Sequence, residues 1–187
     1  SVAGAELRFD DWGLDLAFAG TQKCLALPPG LCVYAVSDRA LKKAESVEQR
    51  GWLLDFHRAK DGLAAGKTLA TPCVPLVFAL GRQLDRIATE GLQNRWARHL
   101  EMRDVTAHWA REHGFEFFVE EPHRSPTVTA LRASGRDVMA LADHARQAGY
   151  NMDTGYGKLK GVTFRIGHMG DHTVAGLREF FAVLAQV

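Results

Sequence analysis

The sequence has no surplus of either charge: 23 lysines and arginines face 22 aspartates and glutamates over 187 residues. A chain so balanced carries no global field to draw it to nucleic acid or to an anionic membrane. It also lacks any apolar run near the ~20 residues that a membrane-spanning helix requires. Its opening residues, Ser1-Val2-Ala3-Gly4-Ala5-Glu6, lack the basic-then-apolar order of a secretory signal. Cysteine is scarce, and Cys24, Cys32 and Cys73 show no metal-type pairing. The expectation is free thiols in a reducing, cytoplasmic setting, with no metal. Repeats and low-complexity tracts are missing too. What remains is a composition 47% hydrophobic and 24% charged, enough to bury a core in one large domain or two small ones.

Turn and cap residues punctuate that composition. Leu14 to Ala19 and Leu31 to Val36 are short, β-leaning runs separated by Gly20 and by Pro28-Pro29-Gly30, which predicts strand, loop, strand. Ser37 is placed to cap a helix over 38–44. Residues 46–70 have poor periodicity and three glycines, and are expected to be mostly loop around a short helical piece. Thr71 to Pro75 is expected to be extended, because each proline biases its predecessor away from helix.

From Leu76 the period changes. Leu76, Leu80, Leu84 and Ile87, then Leu92, Trp96, Val105 and Trp109, recur at helical spacing with a break at Glu90-Gly91. Two long helices are predicted, stopped at Gly114. Strands follow at 115–119, 127–131 and 162–166, with helices at 137–148 and 173–184. Residues from 91 onward therefore make a compact α+β module, whereas two strands and a helix near the start cannot close a layer alone.

Lys23, in "GTQKCLALPPGL", stands where a strand end meets a stiff turn. A primary amine attacks a carbonyl only when deprotonated, and a fixed turn holds such an amine still. From composition alone, the plainer reading is a loop lysine pointing at water. Arg165 lies inside Val162-Thr163-Phe164-Arg165-Ile166-Gly167, and alternation puts it on the sheet face opposite Phe164 and Ile166. A mid-strand arginine pairs with a carboxylate through its two-pronged guanidinium, either the protein's own or a ligand's. His168 and His172 lack a matching ligand set for a metal, and Asp171 or Thr173 is better read as a helix cap. The glycines around Lys158 lead into a strand rather than a helix, which argues against a phosphate loop.

Taken together, "DWGLDLAFAGTQKCLALPPGLCVYAVSDRA" resembles the pyridoxal-phosphate lysine segment of class V aminotransferases, closest to the serine–pyruvate and alanine–glyoxylate branch of fold type I. "ATPCVPLVFALGRQLDRIATEGLQNRWARH" is similar to the family's entry into the interdomain helix. "RSPTVTAL" resembles the first strands of its small domain, and "GYGKLKGVTFRIGHMGDHT" its substrate-arginine strand. The resemblance implies an α/β fold: residues 1–90 as the C-terminal portion of a cofactor-binding large domain, and 91–187 as a small C-terminal α+β domain. It implies that Lys23 forms the Schiff base with pyridoxal 5′-phosphate and that Gln22 lies beside the cofactor. It implies that Thr71 reaches the cofactor phosphate of a neighbouring subunit in a homodimer, and that Arg165 grips the carboxylate of a small amino acid or 2-oxo acid. Where some relatives carry a tyrosine shortly before that threonine, this chain has Thr68. The implied activity is transamination from an alanine- or serine-type donor to a glyoxylate- or pyruvate-type acceptor. The implied aspartate for the pyridine nitrogen and the glycine-rich phosphate loop fall upstream of Ser1, so the chain is expected to be an incomplete part of the enzyme, inactive alone. Two rivals stand beside this reading: a non-catalytic dimerisation or binding module of the same scaffold, and a fold type I lyase such as a cysteine desulfurase.

Overall fold

The computed structural model describes residues 2–186. Its elements run in the order β1 (Leu16–Gly20), β2 (Cys32–Val36), α1 (Asp38–Glu45), α2 (Phe56–Ala64), α3 (Val74–Glu90), α4 (Leu92–Glu112), β3 (Val128–Arg132), α5 (Val138–Gln147), β4 (Thr163–Gly167) and α6 (Val174–Leu184). β1 and β2 pair antiparallel with Phe18 opposite Tyr34, and β3 and β4 pair antiparallel with Ala130 opposite Arg165. No helix among the described residues is long and apolar enough to cross a membrane.

Local chemistry sets most boundaries. Ser37, Asp137 and Thr173 each accept backbone N–H bonds at the start of α1, α5 and α6. Gly91 breaks α3 from α4 at φ +83°, a left-handed conformation that a β-carbon penalises. Two expectations are corrected. α3 begins at Val74, with Pro75 inside its first turn, rather than after an extended 71–75. Proline is tolerated there because the first-turn N–H groups have no intrahelical acceptor. Residues 115–119 form no strand; only Phe117 bridges to Leu131. The Phe115 ring turns into the core instead, edge-on to Phe164 with centroids 5.0 Å apart.

That core is drawn entirely from residues 102–184. Phe164 and Ile166 of β4 and Leu131 of β3 meet Met102 and Trp109 of α4, Leu141 and Ala145 of α5, and Phe180 and Phe181 of α6. Trp109 stacks on Phe181 at 4.5 Å between ring centroids, 7° from parallel. Such offset aromatic pairs add about 1 kcal/mol beyond area burial. β4 is thereby anchored through Phe164 and Ile166, and alternation leaves Arg165 on the outer face.

Candidate active site

The turn after β1 is fixed at two points that flank Lys23. Thr21 is fully buried; its hydroxyl donates to the Pro28 carbonyl at 2.7 Å and its N–H to Leu31 at 3.1 Å. Cys24 is buried on the other side, and burial pushes its thiol pKa up, so it stays protonated and inert. Ala26 adopts a left-handed φ of +54°, while its N–H bonds the Lys23 carbonyl at 2.9 Å. That conformation costs roughly 1–2 kcal/mol for a residue with a β-carbon. Lys23 and Gln22 are exposed between these anchors. Both line an open cavity of about 790 Å³ shared with Leu16, Phe18 and Cys32.

The turn that follows β4 packs against the Lys23 turn. A β-carbon on Gly170 would come within 3.3 Å of the Lys23 carbonyl and 3.1 Å of the Ala26 β-carbon, so the two turns are packed backbone to backbone. α4 clamps them together. Arg95, 3% exposed, donates to the Cys24 carbonyl at 3.0 Å, to Asp171 at 2.9 Å and to Glu90 at 2.7 Å. Arg98 bonds Glu90, the Gly170 carbonyl and the His172 carbonyl. His99, fully buried, lies between the carbonyls of Gly4 at 2.7 Å and Gly170 at 3.3 Å. Burial pushes the Asp171 carboxyl up, but the hydrogen bonds from Arg95 and Gln83 outweigh it and hold it below the usual range. Asp171 is thus an ion-pair residue rather than the cap; Thr173 caps α6.

Arg165 meets a carboxylate of its own chain. Its Nε donates to Asp153 Oδ1 at 2.8 Å and its Nη2 to Oδ2 at 2.5 Å. The Asp153 carboxyl is held low, first by these bonds, and the charge of Lys23 adds to the effect. Lys23, Asp153 and Arg165 therefore share one electrostatic neighbourhood. Arg165 also borders a second cavity, of about 290 Å³, with Met152, Ile166 and Phe180. Thr71 is exposed just ahead of α3, and Thr68 bonds the Ala70 carbonyl at 2.8 Å. His168 is fully buried against the Thr129 hydroxyl at 2.9 Å, and burial pulls its pKa down to about 4.

The L-aspartate–glyoxylate aminotransferase of Paracoccus denitrificans is 33% identical over 94% of the chain and 45% of its own length. The serine–glyoxylate aminotransferase of Methylorubrum extorquens is 36% identical over 91% of the chain and 44% of its own. In structure, the alanine–glyoxylate aminotransferase of Nostoc sp. superposes with a TM-score of 0.89 at 29% identity, over the whole chain and 51% of that protein. The chain is similar to the class V aminotransferases of fold type I. It spans about half the length of the relatives it matches and corresponds to their C-terminal part. No family model matches it.

Sequence reasoning missed the clamp. Arg95 and His99 continue the period of Met102, Thr106 and Trp109 on the buried face of α4. That 3- and 4-residue spacing was the available signal, masked because the residues are polar. Asp153 had no such signal.

Proposed function

We propose that this chain is part of a pyridoxal 5′-phosphate-dependent aminotransferase of the cytoplasm, moving an amino group between a small amino acid of the alanine or serine type and a 2-oxo acid such as glyoxylate or pyruvate. The observation that carries this reading is the display of Lys23: an exposed amine on a turn pinned by buried Thr21 and Cys24, packed against the end of the strand that bears Arg165. Residues 91–187 would be its small domain, and a homodimer would complete the site.

The residues suit the cofactor. It needs a reachable primary amine held still beside a partly apolar wall, and Lys23 with Leu16 and Phe18 supplies that. Bound, pyridoxal 5′-phosphate supplies the electron sink for cleavage at the amino acid's Cα. Lys23 would hold it through Nζ and would serve as the acid–base group for the proton at the substrate's Cα. Gln22 would sit beside the ring, and Thr71 would reach the phosphate across a subunit interface. Arg165 would orient the substrate carboxylate, a positioning effect.

The test is transamination by the chain alone, and by the chain joined to the portion of the Methylorubrum relative that the match leaves uncovered. Activity is expected only in the joined form. There Lys23→Ala abolishes it, and Arg165→Lys lowers kcat/KM for amino acid and 2-oxo acid alike by roughly 2–4 kcal/mol, since lysine cannot reproduce the fork. Unchanged kinetics in Arg165→Lys would leave Arg165 a structural ion-pair residue. The second reading, a non-catalytic binding module of the same scaffold, would keep the Arg165–Asp153 pair and show no transamination in the joined form.

A further inference from the structure

We propose that Asp153 is a positioning residue: it holds the Arg165 guanidinium by its Nε–Nη2 edge, so that the Nη1 end remains open to the carboxylate of a small monocarboxylic ligand. The inference rests on the reading of Arg165 as the substrate-carboxylate residue and adds how that side chain is kept in place.

Asp153 is built to stay where it is. Its Oδ1 accepts the Gly155 N–H at 2.9 Å as well as Arg165 Nε at 2.8 Å. Its backbone bridges to Arg165 itself. Gly155 fixes the loop behind it, with φ +89° and a missing β-carbon that would lie 2.2 Å from the Leu159 carbonyl oxygen and 2.8 Å from that of Thr163. No other residue fits there. A carboxylate pinned by both backbone and side chain is not a gate that swings aside; it is a bracket. Among the described residues, Arg165 Nη1 makes no hydrogen bond, and the side chain is 46% exposed. A planar guanidinium has two usable edges, and occupying one with a fixed partner orients the other.

Two effects of removing Asp153 oppose each other. Losing its negative charge strengthens the pull of Arg165 on an anion, but the pair is one-third to one-half exposed and solvent screens that gain. Freeing a long side chain from both hydrogen bonds makes each ligand pay the ordering again. Orientation wins, and binding weakens.

Propionate tests this without the cofactor, because it has neither an amine nor a carbonyl for Lys23 to act on. The 187-residue chain, labelled with ¹⁵N, is titrated with propionate while the Arg165 Nε–H resonance is followed. In the native chain that resonance is protected from exchange and shifts saturably. In Asp153→Ala, which removes both acceptors of the Arg165 edge, protection is lost and the propionate Kd rises about tenfold, as expected when only a fraction of side chains is binding-competent. Asp153→Ser, whose short hydroxyl keeps an acceptor for Gly155, gives the same result if the alanine variant folds poorly. Equal Kd values would make the pair merely structural, and tighter binding in the variants would make Asp153 a competitor; either overturns the proposal. Propionate moving Arg165 in none of the proteins would remove the carboxylate role of Arg165 itself, and the proposal with it. The role of Lys23 is untouched by all these outcomes.

Discussion

The residues before Gly91 and those after it use the same apolar alphabet to different ends. After Gly91, Phe164, Trp109, Phe181 and Leu131 are buried in one core. Before it, Phe18 is 63% exposed and Phe78 and Leu54 each 74%. The β1–β2 ribbon has only one partner strand for each strand, and two strands with open faces are marginal on their own. Burial is a property of what the neighbouring elements close over, not of the residue. The Lys23 turn sits at the border, held by the buried clamp from α4 as well as by the bonds of Thr21 within its own hairpin.

Substitutions sharpen that contrast. Phe164→Ala removes the largest fully buried side chain and is expected to cost about 4 kcal/mol, read as a shift in the urea midpoint. A loss below about 1 kcal/mol would mean that the second region has no single core. Acid provides the next largest effect. His168 is held neutral, with a pKa near 4 against an ordinary 6.5. As pH falls from 6.5 toward 4 the unfolded chain takes up a proton that the native chain refuses, and stability drops by up to about 3 kcal/mol. Urea titrations across that window should show the slope, and His168→Gln should flatten it.

The border is intermediate. Asp171→Ala leaves the buried Arg95 guanidinium with Glu90 as its carboxylate partner, at a cost of about 2 kcal/mol. It should also speed amide exchange in the 21–26 turn, which depends on the same arginine. Smallest is Phe18→Ala on the exposed ribbon, expected to change stability by less than about 0.5 kcal/mol. A loss as large as that of Phe164→Ala would erase the distinction between the two regions.

The contrast also explains what was legible in the sequence. Caps and breaks are local chemistry, so Ser37, Asp137, Thr173, Gly91 and Gly114 announced their elements. Arg165 on the outer face followed from alternation alone. The Lys23 and Arg165 motifs stood out because of their fixed neighbours, Pro28-Pro29-Gly30 and Arg165-Ile166-Gly167. Long-range pairings were not legible. Arg95 meets Cys24 from 71 residues away and Asp171 from 76; the period of α4 marks its buried position but not these partners. Strand 115–119 failed for the converse reason: an aromatic run suited to a strand was spent on core packing around Phe164.

The claim that Lys23 is the cofactor lysine is tested most directly by borohydride. The chain is saturated with pyridoxal 5′-phosphate, reduced, digested and mapped by mass spectrometry. The account predicts one dominant label, on the peptide containing Gln22-Lys23-Cys24, and its loss in Lys23→Ala. Label on Lys42, Lys67 or Lys158 instead, or spread evenly over all lysines, would contradict it.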